Sequence, residues 1–286
     1  IFFNYRIDRP RQLTRAFTLP NFEEQKDSVS FDPYAVKYYH KHIVEQDTRN
    51  KPFKRNITLP NLFFVTMTEY ERDLPCVVAY PPEPVKTPLG YLFSEQNHRQ
   101  LRLSETEKER FVTYYFNGMH ESAYPGEDRI IVPSPKVATY DTMPEMAALE
   151  LTQKLLDRLA IDVYSFFLIN FANPDMVAHT GNIKAAIRAC EVTDDCVGKI
   201  VSAMLVRGGT CVITADHGNV EEMLSADGQM DTEHSTFAVP FMFIDPSFEG
   251  QPITLPMGKL ADVAPTILSF LNIPIPSEMT GNNLLA

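Results

Sequence analysis

Two short apolar segments, VYSFFLIN at residues 163–170 and TCVIT at residues 210–214, constrain the fold of this chain more than any other feature. Each is nearly continuous in apolar residues and of strand length, and a long helix is predicted between them from about Ile183 to Val206. Continuous apolar runs are typical of strands covered on both faces, and a helix between two such strands is the crossover that parallel pairing requires. The sequence therefore predicts an α/β fold with a parallel sheet.

Further elements are predicted around this sheet. The predicted strands are LFFVTMT, the start and the end of LRLSETEKERFVTYYFNG, and FAVPFMFID, and the predicted helices are PLGYLFSEQ, PEMAALELTQKLLDRL and LADVAPTILSFLNI. The helix in PEMAALELTQKLLDRL is expected to begin at Pro144, because a first-turn position tolerates the missing N–H. Met146, Leu149, Leu156 and Leu159 are expected to form its apolar face.

A proline-rich segment, PPEPVKTP, follows Tyr80 and is suited to a link between domains. We therefore predict a boundary between residues 82 and 83. Residues 21–60 are polar and charged with weak periodicity, which indicates an irregular insertion.

Charge and composition exclude several classes of protein. The formal net charge is −11, and the basic residues are scattered, which argues against a nucleic-acid partner. No apolar run approaches the roughly 20 residues that span a bilayer, so no membrane association is expected. The four cysteines contain no CxxC pair, which favours a reducing, cytoplasmic location. Because the chain begins at Ile1 rather than Met, we expect a fragment, a processed product or a truncated form.

Three segments place His and Asp beside the predicted strands. NPDMVAHTGN contains Asp175 and His179, TADHGNVEEM contains Asp216 and His217, and TEHSTFAVP contains His234. The loops at the carboxyl ends of parallel strands are where open α/β sheets bind ligands.

Carboxylate oxygen and imidazole nitrogen form a ligand set for Zn, Mn or Fe, and a set this large favours a two-metal phosphoryl-transfer site. The alternative for any one segment is structural, since a lone His or Asp at a strand end is usually a cap or a satisfied hydrogen-bonding group. Three of the seven histidines lie in these segments, however, which is hard to assign to packing.

Basic residues give a second signal. FFNYRIDRPRQLTRAF contains Arg6, Arg9, Arg11 and Arg15, and guanidinium groups suit bidentate recognition of phosphate or carboxylate. A solvated basic helix face is the alternative. Lys108, in SETEKERF, is either a surface lysine or a phosphate contact.

An ordered set of segments resembles the cofactor-independent phosphoglycerate mutases, members of the alkaline-phosphatase-like metalloenzymes. The segments are FFNYRIDRPRQLTRAF, FVTMTEY, LSETEKERFVTYYFNG, VPSPKVATYDTMPEM, NPDMVAHTGN, ITADHGNVEEM and HSTFAVPF. The resemblance implies a three-layer, alkaline-phosphatase-like, parallel-rich sheet with helices on both faces, plus part of a smaller α/β transferase domain. Residues 1–82 would then be the end of the transferase, or substrate-binding, domain, and residues 83–286 most of the metal-binding, phosphatase-like domain.

The resemblance also implies a metal-ligand set. Asp175, His179 and His234 resemble the ligands of one manganese ion, and Asp216 and His217 resemble half the ligands of a second. The implied cofactors are two divalent metal ions, Mn²⁺, with no requirement for 2,3-bisphosphoglycerate. The ligand types themselves suit Mn, Zn and Co alike.

Substrate contacts are implied in the same way. Arg6 and Arg9 resemble the pair that grips the substrate, and Lys108 resembles the lysine that contacts the transferring phosphoryl group. The family pattern is altered at two positions, where Ala178 replaces a usual Gly and Pro10 replaces a usual Ala.

The implied activity is interconversion of 3-phosphoglycerate and 2-phosphoglycerate in glycolysis and gluconeogenesis through a phosphoserine intermediate. The DGWG-like and NSEVGH-like segments that supply an Asp ligand and the nucleophilic Ser do not occur in this sequence. We therefore expect the C-terminal half of the enzyme, inactive and marginally stable alone, with the N-terminal half as its partner and a monomer when complete.

Two alternatives stay open from the residues. One is another enzyme with the TADHGN segment, such as a phosphatase, a phosphopentomutase or a phosphonate hydrolase, although the segments around Arg6, Arg9 and Lys108 argue against it. The other is a non-catalytic metal-binding fragment, or half of a split enzyme.

Overall fold

The computed structural model describes residues 2–4, 9–24, 53–71, 73–251 and 253–286, without the side chains of Arg9 and Glu24. These residues divide into two compact units, Ile1–Glu83 and Pro84–Ala286. The boundary predicted from the sequence lies between residues 82 and 83. Most of the predicted insertion at residues 21–60 lies outside the described residues.

The first unit contains helix α1 (Arg9–Thr18) and a small parallel pair, β1 (Val65–Thr66) and β2 (Val77–Val78). The strand predicted in LFFVTMT is thus reduced to two residues.

The C-terminal end of α1 is held by Arg55. Its guanidinium donates to the carbonyl oxygens of Ala16, Leu19 and Pro20 at 2.8–3.1 Å and also binds the Glu23 carboxylate. The last carbonyl groups of a helix lack intrahelical partners, so Arg55 acts as its cap. The hydrogen bonds from Arg55 lower the pKa of Glu23 to about 2.

The second unit is built on a three-stranded parallel sheet. Strand β3 (Gln100–Glu105) lies between β4 (Glu127–Val132) and β5 (Phe166–Ile169), with Leu101 opposite Asp128 and Phe167. All six residues of β3 are buried, as expected for the central strand of a covered sheet.

One face of this sheet is covered by two long helices. Leu101 and Leu103 point to α4 (Ala148–Leu159) and α6 (Ile183–Leu205), because alternate residues of a strand share a face. The buried core on this face comprises Leu101, Leu103, Val132, Ala147, Leu151, Leu155 and Ile200.

The opposite face is covered by α2 (Leu89–Glu95) and α7 (Val263–Phe270). Phe93 and Leu268 pack there against Phe166. The predicted α/β class, with parallel strands and helices on both faces of a sheet, is confirmed for this unit.

The last two strands pair differently from the prediction. Strand β6 (Cys211–Thr214) pairs antiparallel with β7 (Phe241–Ile244), and within the described residues it has no pairing with β5. The crossover α6 therefore connects two sheets and not two neighbouring parallel strands. Strand β7 matches β6 in length and apolar character, so each satisfies the other's backbone groups along one edge.

The start of one helix was predicted wrongly. Helix α4 begins at Ala148 and not at Pro144, since residues 144–147 form turns and Met146 has a φ of +44°. As a result Leu149 is 53% exposed, and the buried apolar face runs through Leu151, Leu155 and Leu159.

The second strand predicted in LRLSETEKERFVTYYFNG does not form. Instead α3 (Glu109–Val112) is followed by turns that end with Gly118 and Met119 at positive φ. Local backbone hydrogen bonds, such as Asn117 N–H to Thr113 O at 2.9 Å, override the strand preference of the aromatic residues there. Among the described residues, no helix combines the length and apolar character that crossing a membrane requires.

Candidate metal centre

A short helix, α5 (Asn173–Ala178), positions the first two predicted ligands. A loop was predicted here from the sequence, but Pro174 in the first turn favours a helix start. Asp175 lies in the first turn, where a negative charge is favourable, and His179 lies one turn later as the C-cap. Because residues i and i+4 share a helix face, both side chains point the same way.

His234 joins them from a segment 55 residues further along the chain. Its Nε2 lies 3.4 Å from Asp175 Oδ1 and 3.2 Å from His179 Nε2, while His179 Nε2 lies 3.2 Å from Asp175 Oδ1. The Asp175 side chain is 15% exposed, whereas those of His179 and His234 are 36% and 49% exposed. The cluster is thus open towards the two histidines.

Hydrogen bonding fixes the ring orientation of His179. Its Nδ1 lies 2.6 Å from the carbonyl oxygen of Thr232. A carbonyl can only accept, so Nδ1 carries the proton and the Nε2 lone pair faces the cluster. In His234, burial and the neighbouring His217 lower the pKa, which favours the neutral imidazole that a metal ion needs.

Lys108 contacts the same carboxylate. It ends a 3₁₀ turn (Thr106–Lys108) that follows β3, and its Nζ lies 2.5 Å from Asp175 Oδ2. Burial raises the pKa of Asp175, but the hydrogen bond and charge of Lys108, with smaller contributions from Asn219 and His179, leave that pKa below its ordinary value. Asp175 is therefore ionised at neutral pH.

Two contacts in the site were not predicted. The buried amide of Asn219 donates from Nδ2 to Asp175 Oδ1 at 2.7 Å, and the Thr232 carbonyl orients His179. Asn219 lies in the TADHGN segment, so its position offered a signal, whereas a backbone carbonyl has none in the sequence.

Asp216 and His217 form a looser pair beside this cluster. Their Oδ1 and Nε2 are 3.5 Å apart, and the Asp216 side chain is 53% exposed. The His217 ring stacks on His234 with centroids 3.7 Å apart. Among the described residues, Asp175, His179 and His234 are the only group of three such side chains within ligating reach of one another.

Gly218 allows its backbone to lie close to that of Ser235, which places His217 against His234. It pairs with Ser235 in an isolated antiparallel bridge, and a Cβ there would lie 2.5 Å from Ser235 Oγ. Gly218 was predicted to permit a turn, and Asp216 and His217 do lie in a bend. The bridge in addition leaves little room for a side chain at position 218.

The predicted arginines and the two altered family positions are described to different extents. Arg6 lies outside the described residues, and Arg9 begins α1 without a described side chain. Arg15 is bound to Glu71 through two hydrogen bonds of 2.6 and 2.7 Å. Of the two altered family positions, Ala178 is fully buried in α5 and Pro10 lies in the first turn of α1.

Comparison with known proteins gives the class first. The sequence profile of the Metalloenzyme superfamily matches residues 45–275, well over half of the chain. The chain belongs to this superfamily.

Individual relatives are more specific. The chain is 47% identical over 287 residues to the 2,3-bisphosphoglycerate-independent phosphoglycerate mutase of Clostridium botulinum (strain Langeland), covering 100% of the chain and 50% of that protein. For the enzyme of the same name from Moorella thermoacetica, the identity is 44% and the coverage 100% and 49%. The chain thus spans about half the length of the curated relatives it matches, and the resemblance inferred from the sequence is confirmed.

A solved structure of Leishmania mexicana phosphoglycerate mutase, obtained at low cobalt concentration, is also similar. Its TM-score is 0.65 at 26% identity, and the match covers 83% of this chain and 46% of that one.

Proposed function

We propose that this chain forms the metal-binding part of a phosphoglycerate mutase that interconverts 3-phosphoglycerate and 2-phosphoglycerate in cytoplasmic glycolysis and gluconeogenesis. The observation that carries the proposal is the convergence of Asp175, His179 and His234, whose ligand atoms all lie within 4.8 Å of one another. The shared name of the relatives supports the substrate.

The donor set fits a divalent metal ion. One ionised carboxylate and two imidazoles match the ligands that Mn, Zn and Co accept, and the Thr232 carbonyl leaves Nε2 of His179 free to ligate. We propose manganese here, and a second ion held in part by Asp216 and His217. Bound metal ions neutralise phosphoryl charge and lower the pKa of an attacking hydroxyl.

The chain's own residues have defined tasks in this proposal. The Lys108 ammonium lies beside the cluster, where it can exchange Asp175 Oδ2 for an oxygen of the transferring phosphoryl group. A cation at that oxygen stabilises the charge of the transition state. Arg6 and Arg9 bind the glycerate or phosphate oxygens through their guanidinium groups.

The nucleophile belongs to another part of the protein in this proposal. The sequence has no DGWG-like or NSEVGH-like segment, so the serine that carries the phosphoryl group, and the Asp ligand that completes the second metal, come from elsewhere. Residues 1–82 then end the transferase domain and residues 83–286 form most of the phosphatase-like domain. This 286-residue chain alone should therefore not turn over 3-phosphoglycerate.

Calorimetry with manganese tests the proposal. The chain is expected to bind about one ion, because the ligand atoms of Asp175, His179 and His234 already lie within 4.8 Å of one another. His179→Ala should lose that ion. His120→Ala is the matched control, because His120 is an exposed histidine that contacts Ser122 and Tyr124 and lies outside the cluster.

Two results would contradict the proposal. If the unmutated chain binds no manganese, or if His179→Ala binds it equally well, the ligand assignment is wrong. Appreciable turnover of 3-phosphoglycerate by the purified chain would overturn the claim that the nucleophile lies elsewhere.

A further inference from the structure

Asn219 is fixed against the carboxylate of Asp175. The residue is 4% exposed, and its Nδ2 donates to Asp175 Oδ1 at 2.7 Å. Its backbone N–H donates to Glu221 Oε2 at 3.0 Å, and its carbonyl accepts from the N–H of Glu222 at 3.0 Å. The amide therefore projects from an anchored turn and not from a free loop.

This turn and α5 share one core cluster. Met223 is buried there and Val220 is partly buried, in contact with the group that includes Val177 and Ala178 of α5. Since close-packed side chains resist displacement, the separation between Asn219 and Asp175 is set by the core beneath them.

The amide can take only one orientation towards Asp175. An ionised carboxylate has no proton to donate, so the NH₂ group must face it. The other end of the amide, Oδ1, is buried and has no hydrogen-bond partner among the described residues. The described hydrogen bonds of this side chain are therefore all donated by Nδ2 to Asp175, at 2.7 Å to Oδ1 and 3.4 Å to the backbone carbonyl oxygen.

Asp175 is held by two donors of different kinds. Lys108 binds Oδ2, and Asn219 binds Oδ1, the oxygen that also lies nearest to His179 and His234. In the proposed function Lys108 exchanges this contact for the phosphoryl group. Asn219 is neutral, so it can keep its hydrogen bond without repelling a divalent cation.

We propose that Asn219 is a positioning residue, which holds Asp175 Oδ1 towards the two histidines and so sets the metal affinity of the cluster. The inference rests on the proposed metal site. In this proposal Asn219 acts through its hydrogen bond to Asp175.

Asn117 offers a matched control in the same unit. It is also buried, donates from Nδ2 to a carboxylate oxygen, Glu127 Oε2, at 2.7 Å, and has a buried Oδ1 without a partner among the described residues. Asn219→Ala and Asn117→Ala thus remove the same type of bond at different places.

Manganese affinity distinguishes the two variants. Asn219→Ala should weaken binding by about 10–100-fold, the usual effect of losing an outer-shell partner of a metal ligand. Asn117→Ala should bind manganese like the unmutated chain. Both variants should lower the unfolding temperature measured in EDTA, so a purely structural role would not separate them.

The outcomes separate this inference from the proposed function. If His179→Ala loses manganese but Asn219→Ala binds it normally, the positioning role is overturned and the metal site stands. If Asn219→Ala shows no cooperative unfolding in EDTA, the variant is not folded and its manganese affinity does not test the inference. In that case zinc is titrated into the unmutated chain, in which asparagine is labelled with ¹⁵N. The assigned Asn219 NH₂ signals should shift with zinc occupancy while those of Asn117 do not, and an unchanged Asn219 signal would overturn the inference.

Discussion

The two halves of the candidate metal centre are organised differently. In the first, Asp175, His179 and His234 converge from two segments, and Lys108, Asn219 and the Thr232 carbonyl orient them. In the second, Asp216 and His217 are neighbours in sequence. Asp216 Oδ1 lies 3.5 Å from His217 Nε2, and the Asp216 side chain is half exposed. Oriented, partly buried ligands need little reorganisation to bind an ion. The first half is therefore expected to bind metal by itself and the second to need further ligands.

Removing one carboxylate from each half gives the largest expected contrast. Asp175→Asn should weaken manganese binding by more than about 100-fold, because it removes an anionic ligand. Loss of an outer-shell partner of a ligand has a smaller effect, of about 10–100-fold. Asp175→Asn also leaves the Lys108 ammonium beside the ion without its partner. Asp216→Asn should leave binding of the first ion close to that of the unmutated chain, as measured by calorimetry. Equal losses in both variants would show that the halves bind as one unit.

Gly218 tests how far the halves are coupled, because its bridge to Ser235 brings His217 against His234. In Gly218→Ala the new Cβ would lie 2.5 Å from Ser235 Oγ and 3.0 Å from Phe237 Cβ. Overpacking of this kind costs about 1–3 kcal/mol, and each kcal/mol lowers the unfolding temperature by roughly 2–4 °C in a chain of this size. Displacement of the His234 segment should also weaken manganese binding.

Gly198→Ala is the control for this substitution. Gly198 lies in α6, and nothing lies within 4 Å of an added Cβ. Alanine should stabilise the helix by about 0.5–1 kcal/mol and leave metal binding unchanged. If Gly218→Ala is as stable and binds manganese as well as Gly198→Ala does, the bridge does not hold the two halves together.

The strands show how much of the fold could be predicted from the sequence. The apolar runs VYSFFLIN and TCVIT are long and uninterrupted, so both were located correctly as strands. Their partners were not predictable, because pairing depends on contacts between distant segments. The antiparallel pairing of β6 with β7 is one such contact.

The candidate ligands were predicted from residue types together with a family resemblance. Three segments offered five His and Asp side chains, and the resemblance grouped Asp175, His179 and His234 as one ligand set. The helix α5 that aligns two of them was missed, since six residues are too few to show helical periodicity. Asn219 was missed because asparagine has many roles in turns, and only the packed structure places its amide on Asp175.

The smallest expected effect concerns acid stability without metal. The pKa of Asp175 in the folded state is lower than its ordinary value of about 3.9. Ionisation of Asp175 therefore stabilises the fold above that ordinary pKa, and this contribution is lost as the pH falls through the folded-state pKa. In EDTA, Asp175→Asn should be less stable than the unmutated chain at pH 7, because Lys108 loses a partly buried counter-charge. The difference in unfolding temperature should shrink below about pH 4. Asp216→Asn, which removes a half-exposed carboxylate, is the control. If the difference in unfolding temperature between Asp175→Asn and the unmutated chain stays constant from pH 7 to pH 3, the ionised form of Asp175 contributes nothing to the stability of the fold.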